Sequence, residues 1–229
     1  MVDLDGDGRT DMLSGSWPGE LYLFKRKPNG TFAAPEKLKS GLLSVLNVGK
    51  ASAVAAADWD GDGDSDLIAG NIDGQVWLLT NEGTKQKPSF SRKEQLKAKG
   101  QAIKDEGGDA GPCVADWDGD GKLDLLLGSG SGSVVWYRNL GTATRPELAA
   151  AETLVEKASS PWEGKADLTR SCVRTKPAVA DWNGDGRLDL LVGDFVSVGK
   201  DRENRELHGW VWVYLQKGAV TAKAERLSR

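Results

Sequence analysis

The chain has 229 residues, with 30 Lys and Arg against 34 Asp and Glu and a net charge of −4 at pH 7. That length builds one large domain or two small ones around a sizeable core, and mild acidity argues against nucleic acid as a partner. A single histidine, His208, excludes metal sites built on paired histidines; two cysteines, Cys113 and Cys172, exclude a CxxC zinc site and a disulfide-dense scaffold. No apolar run approaches the ~18 residues of a membrane span, and no charged-then-apolar leader follows Met1. The 29 glycines and 9 tryptophans, with no long helical pattern, lean towards an all-β chain of tight turns.

The chain repeats itself, in four units of approximately 1–50, 51–109, 110–174 and 175–229. The first opens on an acidic loop, Asp3–Asp11, followed by an apolar stretch Met12–Gly15 and a second, Gly19–Phe24. The second unit has an apolar strand Ala51–Ala57, then the loop Asp58–Asp66, then strands Leu67–Gly70 and Gly74–Leu79 and a weaker strand near Ser89–Leu96. The third repeats this order with Pro112–Ala115, the loop Asp116–Asp124, Leu125–Gly128, Gly132–Tyr137 and Glu147–Leu154. The fourth gives Pro177–Ala180, the loop Asp181–Asp189, Leu190–Gly193, Gly209–Tyr214 and Val220–Leu227. The second and third also share an Asn-x-Gly-Thr turn with a later proline, Asn81–Pro88 and Asn139–Pro146. Short runs of Leu, Val, Trp and Tyr between Gly and Asp are strands, and near-continuous apolarity buries both faces. Four-stranded sheets stacked radially make a β-propeller, here with a first blade that lacks strand A.

Each acidic loop carries oxygen-bearing side chains at positions 1, 3, 5 and 9 and Gly at position 6. Calcium takes six to eight oxygens at about 2.3–2.6 Å, and alternate side chains of a tight loop converge on one point. The side-chain ligands are expected to be Asp3, Asp5, Asp7 and Asp11; Asp58, Asp60, Asp62 and Asp66; Asp116, Asp118, Asp120 and Asp124; and Asp181, Asn183, Asp185 and Asp189. The position-7 residues Arg9, Asp64, Lys122 and Arg187 would each add a backbone carbonyl. Up to four structural calcium ions are expected. No Glu stands at position 12 and no helix follows, so the loops are not EF-hands. The alternative is an Asx-rich turn that needs no metal.

These residues resemble the FG-GAP/VCBS repeat family: the Asp-Trp-Asp-Gly-Asp-Gly loops, the Asp-Leu-Leu-x-Gly strands, the Gly-x-Val-Trp-Leu strands and the Asn-x-Gly-Thr tails. The resemblance implies propeller blades similar to those of the integrin α-chain head, calcium in the loop joining strands A and B, and an extracellular, periplasmic or cell-surface protein. It implies binding of glycans or proteins, and in a few relatives lyase or dehydratase activity. Only Met1 and Val2 precede the first loop. Either the chain is a piece of a longer propeller, or strand A of that blade is dispensable, or a partner copy supplies it by self-association to complete the ring.

In a propeller the A–B and C–D turns share one face, and the B–C and D–A connections the other. The variable connections are 38–50, 97–111, 156–176 and the long B–C loop Asp194–His208. They hold the candidate ligand residues Trp162, Arg170, Arg174, Arg202, Arg205 and His208, to which Trp17, on the first B–C turn, is added. Exposed Trp beside Arg suits a sugar ring or a protein surface. Trp59, Trp117 and Trp182, at position 2 of three loops, are expected to pack between blades; Trp77, Trp136, Trp210 and Trp212 are expected in the core. Cys113 and Cys172, in adjacent blades, could pair if their Cα atoms lie within about 7 Å. No nucleophile–base pair stands out, so no catalytic residue is assigned. The leading function is a non-enzymatic, calcium-stabilised binding or adhesion module; a lyase- or dehydratase-like enzyme and a structural spacer are the alternatives. Nearly half of the 34 acidic residues sit at ligand positions, which leaves the remaining surface basic and an acidic glycan a live partner.

Overall fold

The computed structural model describes residues 1–41, 44–158, 169–199, 205–217 and 223–225. Its sheets are antiparallel and follow the repeats blade by blade in the order A, B, C, D. Blade two consists of Ala53–Ala57, Asp66–Gly70, Val76–Thr80 and Arg92–Gln95. Blade three consists of Gly111–Ala115, Asp124–Gly128, Val134–Tyr137 and Glu152–Val155. Blade four has Val173–Ala180, Asp189–Gly199, Val211–Leu215 and Lys223–Glu225. Blade one has only Met12–Ser14, Tyr22–Phe24 and Glu36–Lys37. Where its strand A would run, Val2 alone exchanges backbone hydrogen bonds with Asp11 at 3.1 and 2.7 Å.

The doubly apolar strands have a simple cause: successive side chains point to opposite faces, and both faces meet a blade. In blade two, Leu67, Ala69, Trp77 and Leu79 pack towards blade one, whereas Ile68, Val76 and Leu78 pack towards blade three. Blade three repeats the division: Leu125 and Leu127 face back and Leu126, Val134 and Trp136 face forward. The core is therefore three apolar clusters, one at each junction between successive blades. Each sealed Leu, Ile or Val contributes about 1.5–3 kcal/mol. Among the described residues no such cluster joins blade four to blade one.

Strand B of each of the first three blades ends in, or is followed at once by, a glycine because the next blade lies so close. A Cβ on Gly15, Gly70 or Gly128 would fall 2.0, 2.2 or 2.2 Å from the backbone oxygen of Ser52, Ala110 or Thr175 in the following blade.

Two expectations are corrected. The stretch Asp194–His208 is not one long loop: strand B of blade four runs on to Gly199 and pairs with Arg205–His208, placing Val196 opposite His208. The β-prone run Phe195-Val196-Ser197-Val198 carries the ladder past the blade. Trp59 and Trp117 pack at junctions as expected, but Trp182 is exposed, because no described blade follows the fourth. The pairing of Cys113 with Cys172, which the sequence left open, is not made: both are free thiols. The connections at 38–50 and 97–111 carry small ribbons, Lys39–Ser40 with Ser44–Val45 and Lys97–Ala98 with Gln101–Ala102.

Candidate functional site

The four acidic loops adopt one backbone shape. Both glycines of each loop have positive φ, for example +68° and +84° at Gly6 and Gly8 and +73° and +98° at Gly61 and Gly63, a region where a Cβ is strained. Position 4 is as constrained as the position-6 glycine that the loop spacing points to.

The carboxylates at positions 1 and 5 tie the loop to itself. Asp3, Asp58, Asp116 and Asp181 each accept the position-6 glycine N–H, at 3.2, 3.1, 2.9 and 3.0 Å. Asp7, Asp62, Asp120 and Asp185 each accept the position-7 N–H, at 2.9, 3.1, 3.1 and 3.0 Å. Position 9 does something the spacing did not reveal. Asp11, Asp66, Asp124 and Asp189 are fully buried, and each spans two segments of its blade. One oxygen accepts the position-2 N–H of Leu4, Trp59, Trp117 or Trp182 at 3.0–3.3 Å. The other accepts the N–H of Arg26, Asn81, Asn139 or Gln216, just beyond strand C, at 2.7–2.8 Å. The signal was in the sequence, since this Asp stands at the start of every strand B, but alternation with the other acids disguised it as a further ligand.

Carboxylate oxygens converge in three loops. Asp3, Asp5 and Asp11, then Asp58, Asp60 and Asp62, then Asp116, Asp118 and Asp124 each bring one oxygen within 4.8 Å of the others. Oxygens of Asp3, Asp5, Asp58 and Asp60 are buried without a hydrogen-bond donor, a costly state for an anion. The donor set and its orphaned oxygens fit a hard, oxygen-seeking dication. The fourth loop makes no such carboxylate triplet. There the Asn183 amide donates to Asp185 at 3.0 Å, so the side chain expected as a ligand is engaged inside the loop.

The loops differ in charge compensation. Lys25 reaches Asp5 at 3.1 Å, and Arg138, at the matching place in blade three, reaches Asp118 at 2.6 Å and Asp120 at 3.2 Å. Blade two has Thr80 there, and its loop holds a fifth acid, Asp64. Burial and the neighbouring Asp62 hold the Asp60 and Asp64 carboxyls above the ordinary carboxylate range. Burial pushes Asp66 up to about 6, against the pull of the Asn81 N–H.

The C–D turns of blades two and three lie over the loops of the blades before them. A Cβ on Gly6 would meet Lys85 at 3.0 Å, one on Gly61 would meet Thr144 at 2.7 Å, and Lys85 Nζ stands 3.8 Å from Asp3. The Asn-x-Gly-Thr motif builds this turn. Asn81 Oδ1 accepts the N–H groups of Gly83 and Ser89 at 3.0 and 2.8 Å, and Asn139 Oδ1 those of Gly141 and Glu147 at 2.9 and 3.0 Å.

The described candidate ligand residues fall on two blades, Trp17 on blade one and Arg170, Arg174, Arg205 and His208 on blade four. Trp17 is exposed on the B–C turn of blade one. Arg174 lies near the start of strand A of blade four, its guanidinium 3.5 Å from Asp109, which also takes Lys176 at 3.1 Å. His208 stacks on Trp210 with ring centroids 5.6 Å apart and sits 3.4 Å from Glu206. Arg170 is half-buried. Trp162 and Arg202 lie outside the described residues, as does the side chain of Arg205. A residue that the sequence reading passed over organises this end of blade four: Asp194 accepts the N–H of Cys172 at 2.6 Å, the N–H of Trp210 at 2.8 Å and the Trp212 indole at 2.9 Å. Its counterparts Asn71 and Ser129 also follow the strand-B glycine, and both hydrogen-bond backbone there, so polarity at that one place was the available clue.

The chain is similar to cartilage acidic protein 1 of Mus musculus, with 27% identity over 143 residues, 57% of this chain and 20% of that protein. It is similar to the Xenopus tropicalis protein of the same name, with 29% identity over 139 residues, and to the Homo sapiens one, with 27% over 143. The chain thus spans about a fifth (20%) of the length of these curated relatives. The FG-GAP-like repeat matches residues 3–69, 58–127 and 116–192. With those overlapping matches centred on the loops and strands described above, the chain belongs to the FG-GAP-like repeat family.

Proposed function

We propose that the chain is a calcium-stabilised, non-enzymatic extracellular binding or adhesion module that recognises a glycan or a protein through the face opposite the acidic loops. The observation that carries the calcium part is the set of orphaned carboxylate oxygens of Asp3, Asp5, Asp58 and Asp60, gathered in the first two loops. When bound, calcium would supply the positive charge that these oxygens lack and pin the A–B turn of each blade. Asp3, Asp5 and Asp11, Asp58, Asp60 and Asp62, and Asp116, Asp118 and Asp124 would hold it; in the fourth loop Asn183 would have to release Asp185 first.

The binding part rests on Trp17, a large aromatic exposed on a connection that differs from blade to blade. Loops fastened at one end of a rigid blade can vary at the other without unfolding it, which is how a propeller carries recognition. An extracellular setting is supported by the family and by relatives named for cartilage. The test has two independent readouts. Calcium should raise the melting temperature and EDTA reverse it; an unchanged melt removes the calcium reading. A glycan array and an extracellular-matrix pull-down should give a ligand whose capture falls on Trp17→Ala. Blank results on both would sink the binding reading while leaving calcium untouched.

A further inference from the structure

We propose that the groove at the outer mouth of the junction between blades two and three binds a linear polysaccharide carrying sulfate or carboxylate groups. The groove has two adjoining parts, about 470 and 350 Å³, which share Lys97 and Pro146. Trp59, Leu78 and Leu96, all buried in the junction, line its depth. One wall is strand D of blade two, with Arg92 and Glu94; the other is the C–D turn of blade three, with Thr144, Arg145 and Pro146. Beyond Lys97 the groove continues between the ribbon tip Lys99-Gly100 and the residues Leu140, Glu147 and Leu148. There the Lys99 N–H donates to the Leu148 carbonyl at 3.0 Å, which fastens the ribbon to blade three.

The strand that makes the first wall is more basic than the blade plan requires. Residues 85–104 hold seven Lys and Arg against one Glu, in a chain of net charge −4. The next repeat is the control. Glu94 lies opposite Leu78 as Glu152 lies opposite Trp136, so Ala150, Ala151 and Val155 stand where blade two has Arg92, Lys93 and Lys97. An outer strand of this fold therefore forms without those cations. Lysines also guard edge strands against pairing, but that role asks for no lysine at the ribbon tip. Lys99 and Gly100 have φ of +51° and +75°, a two-residue turn that Asn-Gly makes with less strain. Among the described residues Lys97, Lys99 and Arg145 are exposed and make no ion pair. The cations share the groove with the acids Asp60, Glu94 and Glu147. Sulfates and carboxylates suit the former, and sugar hydroxyls donate to the latter. A nucleic acid would set a line of phosphates against those carboxylates, and it is held on exposed aromatic platforms, whereas Trp59 is 3% exposed. The site takes its class of ligand from the glycan reading above and differs from it in place, since Trp17 stands on blade one.

Fluorescence anisotropy of the full chain, in calcium at ~0.15 M salt, reads binding of labelled oligosaccharides of heparin, which is sulfated, and of polygalacturonate, which is carboxylated. At least one should bind, and which one names the anion; uncharged dextran of the same length should not. Lys97→Gln, Lys99→Asn and Arg145→Gln together should weaken binding about tenfold or more. Asn suits the left-handed turn and the other two positions are exposed, so the melting temperature should hold. Lys27→Gln, Lys39→Gln and Lys87→Gln together remove as much charge from exposed positions outside the groove, and should change binding by less than about twofold. No binding of either acidic saccharide by the unaltered chain overturns the proposal. So do equal losses in the two triple variants, which would mean bulk charge, and dextran bound as tightly as the acidic chains. Single-stranded DNA bound more tightly than either saccharide, with the same loss in the groove variant, would make this a nucleic-acid groove and also overturns it. Saccharide binding that falls on Trp17→Ala but is indifferent to the groove variant overturns this site and leaves the earlier reading standing; the reverse supports this site and removes Trp17.

Discussion

Asp66 accepts the backbone N–H of Asn81 at 2.7 Å with one oxygen and the N–H of Trp59 at 3.2 Å with the other. The same pair of bonds recurs in every blade, so this carboxylate is a joint between the acidic loop and the end of strand C before it is anything else. Asp66→Ala should therefore destabilise the protein by about 2 kcal/mol or more even in EDTA, since it strands buried amide donors. Asp62→Asn, at an exposed position of the same loop, should do the opposite in EDTA and raise the melting temperature by relieving repulsion. Denaturant titration of both variants with and without calcium separates the two roles.

Arg138 and Lys25 put a cation beside the third and first loops, and among the described residues none pairs with the second loop. Calcium should consequently bind the second loop with the largest gain in stability, on the order of 2.7 kcal/mol at a hundredfold excess over its dissociation constant. Arg138→Gln should tighten calcium at the third loop while lowering the stability of the calcium-free chain. Isothermal titration together with melts in EDTA reads both signs; weaker calcium binding by Arg138→Gln would contradict the competition.

Gly70 and Gly193 occupy the same place in their blades with different surroundings. A methyl on Gly70 would lie 2.2 Å from the Ala110 oxygen, whereas on Gly193 it meets nothing closer than 3.8 Å. Gly70→Ala should cost about 1–3 kcal/mol by overpacking, and Gly193→Ala within about 0.5 kcal/mol of nothing. Equal losses in chemical denaturation would show that blade spacing is not what selects glycine.

Burial pushes the Cys113 thiol up to about 11. Its folded value lies above its unfolded one, so its contribution to stability is complete below pH ~9 and is lost as pH rises through 11. At pH 8 the native thiol should alkylate far more slowly than in urea, because the thiolate is the reacting form. Mass spectrometry of iodoacetamide-treated protein checks this; rapid native labelling of Cys113 would mean that the third junction opens readily.

Much of this was legible because a repeat is its own control. Four loops with the same spacing, strands apolar on both faces and a turn motif present twice fixed the blade plan without coordinates. What the sequence reading missed lies where one residue type serves two purposes. The aspartate at position 9 looks like its neighbours in the string, yet burial and its two amide partners set it apart. Asp194 read as the start of a loop, although its carboxylate organises three donors from segments up to 22 residues away. Trp182 looked identical to Trp59 and Trp117 because local sequence does not say whether another blade follows.

Sequence alone determined the unit: loop chemistry, strand order, glycine at each turn and the alternation that sends side chains to both faces. Those are local properties, governed by backbone sterics and a period of two, and they repeat wherever the residues repeat. Tertiary structure decided which of the equivalent positions are buried and which carboxylates meet a cation. Burial is a property of the neighbour as much as of the residue, so identical side chains at Trp117 and Trp182 end in a junction and in water.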